Sequence, residues 1–162
     1  MMTQAERRAF VEQHRTCIFG FQREHGPPSM SVVYYVVDGD DLLVSTMAAR
    51  AKAKAVRRTG EASLCVLDEK WPLTYLQVYG PASVDDDLRT SVDVMTKVAE
   101  IMSGQRLPEA ARPLVEAKSR EEGRVVIRLR PRWTVYTPPV HLHPGDDGAQ
   151  LRHGLAERMA WR

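Results

Sequence analysis

The stretch Val36-Val37-Asp38-Gly39-Asp40-Asp41-Leu42-Leu43-Val44-Ser45-Thr46-Met47-Ala48-Ala49-Arg50-Ala51-Lys52-Ala53-Lys54-Ala55-Val56-Arg57-Arg58 decides how this chain folds. An Asp-Gly pair supplies the positive φ that a two-residue hairpin turn requires. Ser29 to Val37 and Leu42 to Thr46 therefore read as two antiparallel strands closed by Asp38-Gly39-Asp40-Asp41. Ser45 and Thr46 then turn the chain into a helix running from Ala48 to Arg58, with Thr46 as its N-cap and Gly60 as its stop.

At about 3.6 residues per turn, that helix gathers Ala48, Ala51, Ala55 and Val56 on one face and Arg50, Lys54, Arg57 and Arg58 on the other. Lys52 falls in the middle of the apolar face, where an unpaired ammonium is costly to desolvate. It needs an anion or a route back to water. Because helical side chains lean toward the N-terminus, Lys52 can reach the first turn, where free amides and the helix dipole favour an anion and Ser45 and Thr46 add hydroxyls. In the alternative reading Lys52 snorkels along small alanines to solvent and Thr46 merely caps. Spacing alone leaves both open.

Outward from this stretch, Thr3 to Arg15 reads as a helix opened by a Thr3/Glu6 capping box, with Phe10 and Val11 to dock it. Thr16 to Gln22 is strand-like, and Arg23 to Pro28 is a turn rich in breakers. After Gly60 come a strand from Ala62 to Leu67, the loop Asp68-Glu69-Lys70-Trp71-Pro72, and a long strand from Leu73 to Val84 bent at Gly80-Pro81. On that strand Tyr75, Gln77 and Tyr79 share one face, which suits a dimer interface, a cofactor wall or a half-exposed edge. Asp85 to Asp87 acidify the start of a helix from Leu88 to about Ser103, with Leu88, Val92, Met95, Ala99 and Met102 as its core stripe. Pro108 to Glu122 gives another helix, interrupted or initiated near Pro113. The strand Arg124 to Tyr136 sets Val125, Ile127 and Leu129 against Arg124, Val126, Arg128 and Arg130, a row that faces water or an acidic ligand.

Roughly six strands and three or four helices, joined as hairpins without strand-helix alternation, predict a mainly β, α+β architecture: a small antiparallel barrel carrying helices. Residues 1–140 form the barrel domain. Residues 141–162 form a loop and tail, with a short helix possible within Ala149 to Arg162. The formal charge of +2 is too small to argue for nucleic acid. Cys17 and Cys65 lie in apolar runs and read as small core residues of a reducing compartment. No metal spacing is present, His141 and His143 lacking a third partner, and no run approaches membrane length. A cytoplasmic protein is the expectation from these features together.

The order of these parts resembles the flavin and deazaflavin oxidoreductases related to pyridoxamine 5′-phosphate oxidase. The residues that carry the resemblance are the run Val36 to Thr46, Arg50-x-Lys52 followed by Val56-Arg57-Arg58, Ala62 to Val66, Tyr75 to Ala82, and Arg124 to Pro131. It implies a six-stranded split β-barrel that binds its cofactor phosphate through Ser45, Thr46, Arg50 and Lys52 and lays the cofactor ring against Val32, Val33 and Tyr34. It also implies a homodimer in which the second subunit completes the pocket. FMN and coenzyme F420 are both used across the superfamily, and the Arg-x-Lys turn looks more like the deazaflavin branch. Hydride transfer from reduced F420 to an electron-poor double bond of a small organic substrate is the implied activity. Its rivals are an FMN-binding oxidase or flavin reductase and a non-catalytic cofactor carrier or sensor. No side-chain constellation identifies a catalytic residue, although Tyr34, Tyr75 or Tyr79 could donate a proton.

Overall fold

A computed structural model describes residues 1–68, 70 and 73–162. Glu69, Trp71 and Pro72, from the expected loop at 68–72, lie outside the described residues. The elements run α1 (Gln4–Gln13), β1 (Thr16–Phe21), β2 (Ser29–Tyr34), β3 (Val36–Asp38), β4 (Asp41–Met47), α2 (Ala51–Thr59), β5 (Glu61–Asp68), β6 (Thr74–Asp85), α3 (Leu88–Ser103), α4 (Arg112–Glu121), β7 (Arg124–Leu129), β8 (Trp133–Tyr136) and β9 (Glu157–Ala160). Every strand pairing is antiparallel, in the order β2-β1-β5-β6-β7-β4-β3, with β8 on β6 and β9 on β8. The result is a sheet curled into a split barrel with four helices. Among the described residues no helix is long and apolar enough to cross a membrane.

Local chemistry explains the elements that match expectation. Thr3 and Glu6 form the capping box of α1, and Asp87 caps α3 through the Thr90 amide. Asp38 faces Asp41 across the β3–β4 hairpin, and Gly39 supplies φ 60° at its tip. Long-range pairing explains the departures. The strand expected over Ser29 to Val37 breaks at Tyr35, whose ring is buried and whose hydroxyl donates to the Val11 carbonyl at 2.6 Å. Residues 124–136 likewise form two strands, because the chain crosses β6 between them.

Two layers share the apolar residues. Phe19, Leu42, Val44, Leu64, Val66, Leu76, Val78, Ile127 and Leu129 fill the barrel together with Ala55 and Val56 of α2. A smaller cluster of Val36, Leu43, Val126, Val94 and Val98 joins α3 to the other side of β3, β4 and β7. The face of α3 is thus Ser91, Val94 and Val98 with Val92, and Met102 is exposed. Ser91 sits in that face because its hydroxyl donates to the Arg124 carbonyl at 3.1 Å. The β7 arginines meet carboxylates: Arg128 pairs with Asp41 at 2.8 Å and Asp38 at 3.1 Å, and Arg124 pairs with Glu122 at 2.6 Å.

The tail joins the barrel as a strand. Where a short helix was possible, the chain makes a 3-10 turn at Gly148–Gln150 and then β9. Arg7 of α1, 1% exposed, explains the attachment. Its guanidinium donates to the Thr134 hydroxyl at 3.0 Å, the Met2 and Glu157 carbonyls at 3.2 Å, and the Glu157 carboxylate at 2.6 Å. Arg8 donates to the Trp161 carbonyl, and Gln4 to that of Ala160.

Candidate functional site

The Lys52 side chain is 7% exposed, inside the buried face that it shares with Ala53, Ala55 and Val56. Its Nζ donates to the Ser31 hydroxyl at 2.7 Å and stands 5.7 Å from the centroid of the Phe19 ring. Among the described residues it has no carboxylate within 4.0 Å. Burial first, and the charge of Arg50 second, hold its pKa below the ordinary lysine value. A buried cation whose direct partner is one neutral hydroxyl carries a desolvation cost that its own contacts offset only in part.

The surroundings differ from the sequence reading in three ways. Ser45 and Thr46 do not form a turn. They pair with Val126 and Val125 in the β4–β7 ladder, and α2 begins later, with Arg50 at its N-cap position and no side-chain cap. Ladder hydrogen bonds to β7 outcompete the local cap that Thr46 would otherwise make. Nor do the two hydroxyls share a side, since strand residues alternate. Thr46 faces the barrel with Leu42 and Val44, on the side where α2 packs, whereas Ser45 faces the α3 side with Leu43. Finally, Lys52 reaches across to β2 instead of back along the strand to these hydroxyls.

Both hydroxyls are nevertheless informative. Ser45 Oγ and Thr46 Oγ1 are buried without a hydrogen-bond partner among the described residues. A buried unsatisfied hydroxyl is rare enough in folded proteins to call for an explanation. For Thr46, on the Lys52 side of the strand, a bound anion would supply it. Arg50 is exposed, at the rim, and its charge acts on both Lys52 and Glu122.

Strand β2 is the second half of the site. It ends the sheet path, so one edge of its backbone is unpaired. Ser29, Ser31 and Val33 point inward, while Met30, Val32 and Tyr34 point outward, Val32 being 75% exposed. The structure therefore puts Val33 with Ser31 and Lys52, and Val32 with Tyr34 on the opposite side. The sequence reading missed Ser31 and Phe19. Ser29 and Ser31 look like the solvent half of an alternating strand, but here the polar positions mark the side that faces the buried ammonium.

The outer face of the sheet is rich in apolar and aromatic groups. Tyr34 and Tyr75 are partly exposed, and Tyr75 donates to the Thr137 hydroxyl at 3.0 Å. Gln77 and Tyr79 follow on the same face of β6, whose other side, Leu76 and Val78, is fully buried. The cysteines divide likewise. Cys17 is buried in the barrel, its thiol pushed up to about 12 chiefly by burial, and Cys65 is half-buried on the outer face beside Ile18 and Gln77.

The sequence profile described as pyridoxamine 5′-phosphate oxidase matches residues 3–137. No curated protein matches the sequence. Among solved structures, a conserved hypothetical protein of Mycobacterium tuberculosis superposes with a TM-score of 0.71 at 24% identity, over 83% of this chain and 83% of its own. An F420 reductase gives 0.60 at 22% identity over 78% and 93%, respectively. A heme storage protein of Vibrio cholerae gives 0.58 at 15% over 81% and 91%. At these identities the likeness is one of fold.

Proposed function

Since the chain belongs to the pyridoxamine 5′-phosphate oxidase family, we propose that it is a cytoplasmic, homodimeric oxidoreductase that uses coenzyme F420. The observation that carries this reading is Lys52: a 7% exposed ammonium on one neutral hydroxyl, beside a strand whose Thr46 hydroxyl is buried and unpartnered. That combination fits the phosphate of a flavin-type cofactor. Arg50-x-Lys52 resembles the deazaflavin branch, and one fold neighbour is an F420 reductase.

In this reading Lys52 and Thr46 hold the phosphate end, and Arg50 adds charge from the rim. Ser45, on the far side of β4, does not take part. Val32, Val33 and Tyr34 would wall the ring, beside the open edge of β2, whose unpaired backbone groups could hydrogen-bond it. The coenzyme would, in reduced form, supply a hydride to an electron-poor double bond of a small organic substrate, with a proton from solvent completing the reduction. The protein orients the reactants and excludes water.

Exclusion of water needs a cover over the outer sheet face, where Met30 is 72% and Val32 75% exposed. A second copy seated on Tyr75, Gln77 and Tyr79 supplies it, since the exposed apolar Met30 and Val32 beside them are the kind of surface an interface covers. Light scattering should give a dimer at micromolar concentration; a monomer would remove that cover.

The test of the cofactor is an ultraviolet-visible titration of purified protein with each candidate. Saturable binding of F420, lost in Lys52→Met, is the expected result. Tight binding of FMN with none of F420 overturns the choice and favours an FMN-dependent oxidase or flavin reductase. The heme storage protein among the fold neighbours motivates a non-catalytic rival, which predicts tight cofactor binding with no reduction of any enone, quinone or tetrapyrrole supplied.

A further inference from the structure

Gly80 makes room for a chain crossing. A Cβ at this position would stand 2.3 Å from the Arg130 carbonyl oxygen and 2.9 Å from the Arg132 nitrogen, both closer than atoms can approach. Glycine lets the segment from Arg130 to Arg132 pass over β6, where Arg130 N donates to the Pro81 carbonyl and Arg132 N to that of Tyr79. The crossing gathers Arg130, Arg132, Arg158 and Arg162 along two adjoining clefts that meet at Arg132 and Trp133.

The four arginines are not equivalent. Arg130 lies 3.9 Å from Asp41, and Arg162 pairs with Asp40. Arg132 and Arg158 have no carboxylate within 4.0 Å among the described residues. Arg158 is held instead by aromatic faces, its guanidinium carbon 3.9 Å from the centroid of Trp133 and 5.8 Å from that of Tyr79. A guanidinium stacked on a ring keeps its N–H edge free, and that edge matches a carboxylate in two parallel hydrogen bonds. The cleft beside it measures about 730 Å³ and its apolar lining includes the exposed Met30 and Pro28, with Phe21 and Ala62 at its edge turned into the barrel core. Among the described residues Glu61 is its single acidic lining residue, and it pairs with neither arginine.

We propose that this cleft is a second small-molecule site, taking an organic carboxylate with a flat apolar body. The carboxylate meets the edges of Arg158 and Arg132, and the body lies over Met30 and Pro28. None of the residues assigned to the cofactor lines it; Met30 and Tyr79 do belong to the outer sheet face proposed for the second copy, so the site rests on that copy leaving this end of the face open.

The test is calorimetric titration of the full chain with 2-naphthoate, and with its neutral analogue 2-naphthamide. Saturable binding of the acid is expected, with the amide weaker by about tenfold or more, since it lacks the charge-assisted pair. Arg158→Ala should weaken the acid by about tenfold, and Lys52→Met should leave it unchanged. Should Arg158→Ala fail to fold, Arg158→Lys replaces it: the charge stays, the planar fork goes, and affinity should still fall. No saturable binding at millimolar acid, equal affinity for acid and amide, parent-like affinity in the Arg158 variant that folds, or loss of binding in Lys52→Met would each overturn the proposal.

Discussion

Arg7 and Lys52 are both buried cations, and their surroundings differ in kind. Arg7 is 1% exposed and donates to carbonyls of Met2 and Glu157, to the hydroxyl of Thr134 and to the carboxylate of Glu157. Lys52 is 7% exposed and donates to one serine hydroxyl. Desolvating either charge is expensive. For Arg7 the fold itself offsets that cost. For Lys52 it leaves the balance open, as expected of a group whose partner comes from outside the chain.

The sharpest way to break this contrast is to remove each charge and compare stability with binding. Arg7→Met should destabilise the protein by about 1–3 kcal/mol, the cost of leaving its buried hydroxyl and carbonyl partners unsatisfied, read as a lower urea midpoint; the exposed Glu157 carboxylate can turn to water. Lys52→Met should do the opposite in the cofactor-free protein, leaving the midpoint equal or higher. Cofactor binding should meanwhile weaken by about 2–4 kcal/mol in the spectroscopic titration. Lys54→Ala, on the exposed face of α2, is the control that should change neither. Parent-like cofactor affinity in Lys52→Met would erase the distinction between the two cations.

Thr46→Val asks the same question of a neutral group. Replacing a buried hydroxyl that lacks a partner should leave the cofactor-free protein as stable or more so. It should cost about 1 kcal/mol in cofactor binding, one hydrogen bond. A lower melting temperature without cofactor would mean that the hydroxyl has a structural role.

The smallest effect is one of pH. The folded-state pKa of Lys52 is depressed below the unfolded 10.5, so between the two values the unfolded chain binds more protons and stability rises with pH. The cofactor-free parent should gain stability relative to Lys52→Met as pH climbs toward and through 10.5. Denaturation series at several alkaline pH values check the sign. A parent that loses stability relative to the variant over that window would refute it.

What could be read from the sequence follows the range of the forces involved. The Asp38 to Asp41 hairpin, the Thr3 capping box and the acidic start of α3 at Asp85 to Asp87 depend on neighbours a few residues away, and all were legible. The place of Lys52 on the apolar face of α2 was legible too, because helical periodicity fixes which side chains share a face; whether it stays buried or snorkels out was not. Its partner Ser31 was not, since only the folded barrel brings β2 under α2. Thr46 was misread as a cap because its competitor, Val125, lies in a distant strand. The α3 stripe was misplaced because Ser91 reads as polar while Arg124 supplies its hydrogen bond. β9 has no apolar alternation at all; the polar contacts of Gln4, Arg7 and Arg8 define it.

The contacts of Arg7 also bear on the order of folding events. Its side-chain partners Thr134 and Glu157 lie 127 and 150 residues along the chain. Closing loops of that length costs entropy that only prior contacts can reduce. Helix α1 can form early through its local capping box and meet Tyr35 through Val11, yet its Arg7 contacts cannot form until β8 and β9 are in place. We therefore expect the α1–β9 clamp to be absent from the rate-limiting barrier. In stopped-flow chevrons, Arg7→Met should speed unfolding and leave the refolding limb nearly unmoved; a slowed refolding limb would instead put the clamp in the nucleus.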